Sequence, residues 1–295
     1  MTARTIVLTA LCALVAWGQP HSVHQLAPGV YVWQGDRENR EPANCTWVVF
    51  KDFVLVVDAN FPWGSREILT KIRETTDKPV RFVALTHDHA DHSFGNSVFL
   101  DAGASIVSSE ATAEALRTTG PKNWANWNNP AHPLDGARFE PSTITFTDRM
   151  IFDDGAQRVE LIRLGPAHTR GDSVAYLPKQ KIVATGDLCV TWAFGNNVSD
   201  AGGDCDNWLR ALDQIVAWQP ETVVPGHGPT ASLPALKTQR EYLADMLNQV
   251  RSGIRAGKSA DDLVKAIDLH SHGTIANDAD ANANAIRAMY LRLKQ

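Results

Sequence analysis

The sequence predicts a chain of the α/β or α+β class, in which two groups of strands form two sheets face to face with helices outside. Three observations lead to this prediction. Short apolar, β-prone runs occur in two blocks, within residues 30–107 and 143–224. Segments with apolar residues at helical spacing accompany each block, and the last of them form a helical tail. The length of 295 residues suits one large domain with an ample core.

The N-terminal segment has the composition of a secretory signal peptide. One cation, Arg4, precedes an apolar run over residues 6–17 that is too short to span a bilayer. Gly18 is a small residue where a signal peptidase needs one. We expect residues 1–18 to be removed, so that the mature chain is a single domain over 19–295 and is periplasmic or secreted. The alternative is that this run forms a buried first strand or helix.

The charge balance argues against nucleic acid as a substrate. The formal net charge is −5, and no block rich in lysine or arginine occurs, whereas phosphate backbones are bound by clustered cations. No stretch after the N-terminal run is long and apolar enough for a transmembrane helix. We therefore expect a small-molecule substrate and no membrane contact after signal cleavage. The sequence leaves the oligomeric state open.

Four cysteines are spread along the chain: Cys12, Cys45, Cys189 and Cys205. No C-x-x-C pair occurs, so a thiolate zinc site is not expected. Cys189 and Cys205 lie on one connecting segment and could form a disulfide in an oxidising compartment. They could equally remain buried free thiols, and the sequence leaves both alternatives open.

The first block is predicted to alternate between strands and helices after an initial hairpin, whose turn is Lys51-Asp52. Phe61 and Trp63 follow in a loop between a strand end and a helix. They are either walls of a substrate site or aromatic caps on the core. The predicted elements are strands at 30–33, 45–50, 53–57, 80–85 and 105–107, and helices around 68–72, over 94–100 and over 110–116.

One stretch in this block contains five candidate metal ligands within six residues: His87, Asp88, His89, Asp91 and His92. It begins where the preceding strand should end. Imidazole nitrogen and carboxylate oxygen are the ligands that zinc prefers. His87 and His89 can turn toward one ion, and Asp91 and His92 toward a second. A solvated polar turn would explain one such side chain but not five.

Residues 120–136 are rich in tryptophan, asparagine and proline and are predicted to be an irregular loop. A segment of this length inside a compact domain is usually functional or mobile. We interpret it as a lid or pocket wall that contributes Trp124 and Trp127. His132 lies in the same segment and is expected on the surface.

The second block is predicted to contain strands, an amphipathic helix and the helical tail. His270 and His272 fall in a polar loop of the tail and are expected to be solvated. His21 and His24 precede the fold, and we assign them no functional role. The predicted elements are strands at 143–146, 158–163, 173–177, 181–185 and 221–224, a helix over 204–218, and tail helices over 233–254 and 281–293.

Four short motifs follow predicted strands in order along the chain. They are His87-x-His89-x-Asp91-His92, Gly165-Pro166-Ala167-His168-Thr169, Thr185-Gly186-Asp187 and Pro225-Gly226-His227-Gly228. Together they resemble the metal motifs of the metallo-β-lactamase superfamily, and the resemblance runs from about residue 30 to about residue 229. Four motifs in order are far more specific than any one of them.

The resemblance implies a four-layer αββα sandwich, an α+β fold, with metals in a groove at one edge of the sheets. It also implies two zinc ions per chain, with iron or manganese as alternatives. Asp58, at the end of a strand, is expected to brace the metal loops by hydrogen bonds rather than to bind metal. The implied ligands are His87, His89 and His168 for the first ion, Asp91, His92 and His227 for the second, and Asp187 between them.

By the same resemblance, two ions that share a water molecule lower its pKa and supply a hydroxide nucleophile. Asp91 could then take or return a proton. The expected reaction is hydrolysis of an ester, thioester, lactone, amide or phosphoester. Many β-lactamases of this fold have cysteine or serine where this chain has Asp187, which argues for other branches of the superfamily. Export and an aromatic-rich pocket, by contrast, suit a β-lactamase.

Two further classes of function stay open. A mononuclear non-haem iron persulfide dioxygenase of this superfamily would use only His87, His168 and Asp187 as ligands. A non-catalytic binding protein on a degenerate scaffold would have lost ligands, but none is missing from this sequence. Metal content separates the dioxygenase from the hydrolase, because one iron is expected for the dioxygenase and two zinc ions are expected for the hydrolase.

Overall fold

The computed structural model describes residues 21–36, 43–128, 134, 136–192, 198 and 202–294. Over these residues, two sheets pack face to face and helices cover both outer faces. This arrangement confirms the four-layer αββα sandwich. The signal peptide and the surface position of His132 lie outside the described residues and stay predictions.

The first sheet has seven strands in the order in which they follow along the chain. The first four strands pair antiparallel, and the last four pair parallel. The parallel half follows from the helices between its strands, because a parallel pair needs a long crossover. The strands are β1 Val23–Ala27, β2 Val30–Trp33, β3 Cys45–Val49, β4 Val54–Val57, β5 Val80–Ala84, β6 Ser105–Ser109 and β7 Ile144–Phe146.

The second sheet has five strands in the order β12-β11-β10-β9-β8. From β8 to β11, strands that follow one another along the chain pair antiparallel. The last two strands pair parallel, and a helix lies between them in the sequence. The strands are β8 Arg149–Asp153, β9 Arg158–Arg163, β10 Ser173–Leu177, β11 Ile182–Ala184 and β12 Thr222–Val224.

Helices cover the outer face of each sheet. Ile68, Phe99 and Leu116 pack onto the first sheet, and Trp208 and Tyr242 belong to the layer on the second. The helices are α1 Pro62–Thr75, α2 Ala90–Ser93, α3 Asn96–Asp101, α4 Glu110–Thr118, α5 Gly120–Trp127, α6 Cys205–Ala217, α7 Leu233–Arg255, α8 Ala260–Ala266 and α9 Ala279–Leu293. In the described part of the chain, none of them has the length and apolar character to cross a membrane.

The core between the sheets consists of aliphatic side chains from both inner faces. Val32 and Leu55 belong to the first sheet, and Leu161 and Ile182 to the second, and all four are almost inaccessible to solvent. Alternate residues of each strand supply this layer, since side chains point to opposite faces of a sheet. The two sheets therefore meet through apolar contacts and leave polar groups at the strand ends.

Several predicted elements differ from the structure. His24 lies within β1, a strand that the sequence pattern does not indicate. This strand forms because Val23 and Gln25 pair with Trp33 and Tyr31 of β2. The strand near residue 144 was assigned to the second block, but β7 pairs with β6 in the first sheet. The strand β8 and the helix α8 were also not predicted.

The segment that begins at Gly120 was predicted to be an irregular loop, but its first part is the helix α5. A proline lies in the first turn of α5, where it costs no hydrogen bond. The Trp124 ring packs 5.0 Å from Phe94 and 5.8 Å from Phe139, measured between centroids. Tertiary packing therefore stabilises a helix that local composition does not indicate.

Two further side chains differ from what was expected or left open. His272 was expected to be solvated, but its Nε2 lies 3.0 Å from Asp245 and the side chain is largely buried. Cys189 and Cys205 are buried free thiols, as is Cys45. Among the described residues, the disulfide alternative is therefore not realised.

Candidate metal centre

The turn after β5 places four candidate ligands close together. β5 ends at Ala84, and the helix α2 begins at Ala90 with His89 as its N-cap residue. Asp91 and His92 lie on this single helical turn, while His87 precedes it. The side chains of His87 and His92 are buried, with ring centroids 4.2 Å apart. The structure thus brings these side chains together directly after β5.

Three more candidate ligands come from loops of the second sheet. His168 lies between β9 and β10, and Asp187 lies in a 3-10 turn, Gly186–Leu188, that follows β11. His227 follows β12. All three are buried. These loops leave the same edge of the sandwich as the turn after β5, so that side chains distant in sequence meet.

The seven side chains form two groups whose ligand atoms lie within 4.8 Å of one another in each group. Asp187 contacts both groups. Its Oδ2 lies 3.9 Å from His87 Nε2 and 3.5 Å from His168 Nε2, while its Oδ1 lies 3.2 Å from Nε2 of both His92 and His227. The first group is His87, His89, His168 and Asp187; the second group is Asp91, His92 and His227.

The orientation of these atoms fits a cation. Nε2 of His87, Nε2 of His92 and Oδ1 of Asp187 are buried and lack a well-aligned hydrogen bond among the described residues. His168 Nε2 lies 3.1 Å from His89 Nδ1, so two ring nitrogens face each other. Buried polar atoms are normally paired. Several that converge without pairing are the arrangement that a divalent ion with nitrogen and oxygen ligands would complete.

The electrostatics of the metal-free centre are those of a buried carboxylate among imidazoles. Burial opposes ionisation of Asp187, but the charges of His227 and His92 lower the pKa of its carboxyl well below the usual value. Burial works against the charged form of His92 as well, but Asp58 and Asp187 raise its pKa well above the usual value. For His87, burial and then His92 lower the pKa. In the metal-free centre these shifts favour an ionised Asp187 and a neutral His87. His92 and His227, whose pKa values are raised, would release a proton when a metal binds.

Asp58 braces the turn after β5, as predicted. Its Oδ1 accepts a hydrogen bond from Thr86 N at 2.7 Å, and its Oδ2 accepts one from Thr86 Oγ1 at 2.8 Å. Oδ2 also lies 2.8 Å from His92 Nδ1. This contact directs the other ring nitrogen of His92 toward Asp187. The Asp58 backbone has a φ of 65°, a conformation that is uncommon outside glycine and clusters at functional sites.

Asn44 positions the His227 loop, and sequence reasoning missed it. Its Nδ2 donates to the carbonyls of Pro225 and Gly228, each at 2.8 Å, and its Oδ1 accepts from Gly35 N at 2.9 Å. These contacts join residues up to 184 positions apart. No local pattern could have revealed them. The one available signal in the sequence is an asparagine immediately before an apolar strand.

Close backbone approach at Asp187 requires glycine at two positions. Gly186 has a φ of 51°, and a Cβ there would overlap the Thr86 side chain. A Cβ at Gly226 would overlap Asp187 Oδ1 and lie 2.8 Å from the Gly186 carbonyl carbon. Gly186 therefore lets the 3-10 turn approach Thr86, and Gly226 lets the His227 loop approach Asp187.

Aromatic side chains form two sets, one packed against Ala90 of α2 and the other near His227. Phe61 is buried and stacks on Trp63 at 4.8 Å, and it lies 5.1 Å from Trp127 of α5. Phe61 therefore caps the core, while Trp63 is half-buried. On the other side, the half-buried ring of Trp192 lies 6.0 Å from His227. No sequence motif indicates Trp192, which lies outside the four motifs.

Comparison with known families and curated proteins gives consistent matches. The family model described as "Metallo-beta-lactamase superfamily" matches residues 39–227. A linear primary-alkylsulfatase from Pseudomonas sp. is 24% identical over 246 residues, which are 70% of this chain and 46% of that protein. A probable hydroxyacylglutathione hydrolase from Schizosaccharomyces pombe is 26% identical over 69% of each chain. The type 2 metallo-beta-lactamase of Bacillus cereus is 26% identical over 56% of this chain and 58% of that protein. This chain spans about half the length of the relatives matched first.

Solved structures show the same fold. The stereoselective inverting sec-alkylsulfatase from Pseudomonas sp. superposes with a TM-score of 0.71 and 14% identity, covering 92% of this chain and 50% of that one. A metallo-beta-lactamase from Pontibacter korlensis superposes with a TM-score of 0.61 and 23% identity, covering 76% of this chain and 98% of that one. The alkylsulfatase match covers more of this chain than the β-lactamase match does.

Proposed function

The chain belongs to the metallo-beta-lactamase superfamily, and we propose that this metal-dependent hydrolase binds two zinc ions and cleaves an ester, thioester, lactone, amide or phosphoester. The observation that carries the proposal is the position of Asp187. Its Oδ1 faces His92 and His227, while its Oδ2 faces His87 and His168. A carboxylate with one oxygen toward each group suits a bridging ligand between two ions.

We assign each residue a role from its place in the two groups. His87, His89 and His168 would hold one ion and Asp91, His92 and His227 the other, with Asp187 shared. Two zinc ions held in this way would lower the pKa of a water molecule and polarise the substrate oxygen. Asp58 fixes the ring of His92 in the required orientation.

Asp91 suits the role of proton carrier. Its side chain is 19% exposed, whereas the other acid of the centre, Asp187, is 7% exposed. The Asp91 Oδ2 lies 3.3 Å from His227 Nε2 and 3.8 Å from His92 Nε2. A carboxylate at the solvent side of the centre can receive a proton from the reacting water and return it to the leaving group.

The substrate side of the centre is expected to favour apolar groups. Two half-buried aromatic rings support this expectation: Trp63, which belongs to the cluster that also contacts Ala90 of α2, and Trp192, whose ring lies 6.0 Å from His227. The relatives include proteins named for alkylsulfatase, hydroxyacylglutathione hydrolase and β-lactamase activities. We add sulfate esters to the bonds to be tested because two of the matches are alkylsulfatases.

β-Lactam hydrolysis is the second candidate. The matches to type 2 metallo-beta-lactamases support it. Asp187 argues against it as the main role, because many β-lactamases of this fold have cysteine or serine at this position. The persulfide dioxygenase alternative needs only His87, His168 and Asp187, and it leaves the complete second group of three ligand side chains without a purpose.

Metal analysis followed by a substrate panel tests the proposal. We expect two zinc ions per purified chain and two anomalous peaks at the zinc edge, one at each ligand group. Chromogenic esters, lactones, phosphodiesters, sulfate esters and a cephalosporin then identify the bond that is cleaved. One iron per chain with oxygen consumption on a persulfide would refute the hydrolase proposal.

A further inference from the structure

Asp172 is a buried carboxylate that lies beside the His168 loop but outside both ligand groups. It directly precedes β10 and is 2% exposed. Its Oδ2 accepts hydrogen bonds from Ala167 N at 3.2 Å and from Thr169 N at 2.8 Å. Its Oδ1 accepts one from Thr169 Oγ1 at 2.8 Å. The carboxylate therefore holds the two backbone amides on either side of His168.

The backbone around Asp172 closes the same loop and ties it to the other sheet. The Asp172 carbonyl accepts from Leu164 N at 2.8 Å and from Gly165 N at 2.9 Å. The next residue, Ser173, donates its N–H to the carbonyl of Thr86 at 2.8 Å. Since Thr86 immediately precedes His87, this short segment connects two ligand-bearing parts of the chain.

The loop has further contacts with α6 and its N-cap residue. The Ala167 carbonyl accepts from Asp204 N at 2.7 Å, and the His168 ring lies 5.4 Å from that of Trp208. Asn207 Nδ2 donates to the carbonyls of Leu164 and Pro166, each at 2.8 Å, at the start of the loop. Among these contacts, the Asp172 carboxylate accepts from the backbone amides on both sides of the ligand. It resembles Asp58 in being a buried carboxylate under a ligand turn, but Asp58 contacts a ligand ring and Asp172 works through the backbone.

We propose that Asp172 is a positioning residue that holds His168 in place and thereby governs retention of the ion bound by the first group. The proposal rests on the proposed function, because it assumes that both groups bind metal. If His168 moves, the first ion keeps the imidazoles of His87 and His89 and a shared oxygen of Asp187. The second group does not contain His168, so its ion should stay.

The test is the zinc content and zinc affinity of Asp172→Asn. Asparagine has nearly the same shape, but it carries no charge and replaces one of the two accepting oxygens with an NH2 donor. It therefore cannot accept from all three donors of the loop with both of its terminal atoms. We expect the affinity for one of the two ions to fall by about 10–100-fold, the range found when a support of a metal ligand is lost. After dialysis against a weak chelator, the variant should retain one ion while the wild type retains two.

The ion that is lost can be identified with cobalt(II) in place of zinc. The absorption spectrum of cobalt-loaded Asp172→Asn should match that of His168→Ala and differ from that of His227→Ala. Asn44→Asp is the reciprocal variant, because Asn44 holds the His227 loop. Its spectrum should match that of His227→Ala.

Asp154→Asn is the matched control. The Asp154 carboxylate also accepts hydrogen bonds from loop amides, those of Ala156 and Gln157, but in the turn between β8 and β9. This variant should retain both ions. Thr169→Val removes the hydroxyl that donates to Asp172 and accepts from Gly171 N at 3.3 Å. Its affinity for the first ion should fall about threefold, and it decides the question if Asp172→Asn does not fold.

Two results would overturn the positioning role. One is wild-type affinity for both ions in a folded Asp172→Asn, or in Thr169→Val where Asp172→Asn does not fold. The other is equal loss of both ions. A wild-type chain that binds fewer than two ions refutes instead the proposed function, so the two failures are distinguishable.

Discussion

The turn after β5 and the loops of the second sheet build the same centre in different ways. The turn supplies His87, His89, Asp91 and His92 within six residues, and a single buried carboxylate, Asp58, braces it. The second sheet supplies three ligands from three separate loops. The first half of the centre is therefore specified locally, and the second half depends on contacts between distant segments.

The supports of the second-sheet loops illustrate this dependence. Asn44 reaches the His227 loop from the start of β3, and Asn207 reaches the His168 loop from α6. Gly226 N donates to the carbonyl of Gly186 at 2.9 Å and so joins the His227 loop to the turn that carries Asp187. Substitutions of residues that bind no metal should consequently damage this half of the centre more than the turn after β5.

The largest effect is expected at Asp187, where the two halves meet. Asp187→Asn should weaken metal retention, and kcat/KM should fall by about 1000-fold, roughly 4 kcal/mol, because the shared carboxylate is lost. Asp187→Cys should also lose esterase or lactonase activity but keep or raise any cephalosporin hydrolysis. Metal content and both activities are measured on both variants and on wild type.

Asp101→Asn is a suitable control for Asp187→Asn, since Asp101 forms an exposed pair with Arg138. It should behave as wild type in metal content and turnover. Two retained ions and full turnover in Asp187→Asn would mean that Asp187 is not a ligand, and the dinuclear proposal would be wrong.

An intermediate effect is expected for Gly226→Ala, which changes no ligand. The new methyl group would overlap Asp187 Oδ1, so Asp187 and the His227 loop must separate. We expect loss of about one ion per chain and a fall in kcat/KM of about 100-fold, or roughly 3 kcal/mol. Metal analysis and steady-state kinetics measure both quantities.

Gly253→Ala provides the comparison for Gly226→Ala. Its methyl group would meet the flexible side chain of Leu263 in the helical tail, far along the chain from the ligands. This variant should alter thermal stability but keep both ions. If Gly226→Ala also keeps both ions, the His227 loop tolerates displacement and the contrast between the two halves is weaker than described.

The smallest effect concerns the aromatic residues beside the centre. Trp63→Ala and Trp192→Ala should each raise KM for apolar substrates by about 10-fold, or roughly 1.4 kcal/mol, with kcat nearly unchanged. Trp218→Ala is the control, because its ring stacks on Tyr176 at 4.8 Å on the second sheet. A fall in kcat without a change in KM would show that Trp63 and Trp192 position ligands rather than substrate.

Most of the centre could be predicted from the sequence because its ligands follow strands. Strands such as β5 and β9 have strong apolar, β-prone patterns, and the polar residues at their ends stand out. The seven clustered side chains are those that the motifs indicate. Asp58 was also recognised, because it directly follows β4.

The rest depends on packing that no local pattern encodes. Asn44, Asp172 and Trp192 act through contacts with the backbone or rings of remote segments. The helix α5 has a composition typical of a loop and is stabilised by the rings of Phe94 and Phe139. The sequence places β7 in the second block, although it pairs with β6, because the residues of a strand do not indicate which strand it pairs with.

The contacts of Asn44 also set an order of assembly. Asn44 is made early during synthesis, but its hydrogen-bond acceptors at Pro225 and Gly228 emerge 181 and 184 residues later. Chains are synthesised at about 5–20 residues per second, so at the slower rates these acceptors emerge tens of seconds after Asn44. A ribosome-bound chain that displays only the turn after β5 already exposes four imidazole and carboxylate ligands without their partners. The complete set of seven candidate ligands therefore exists only after the His227 loop has been synthesised.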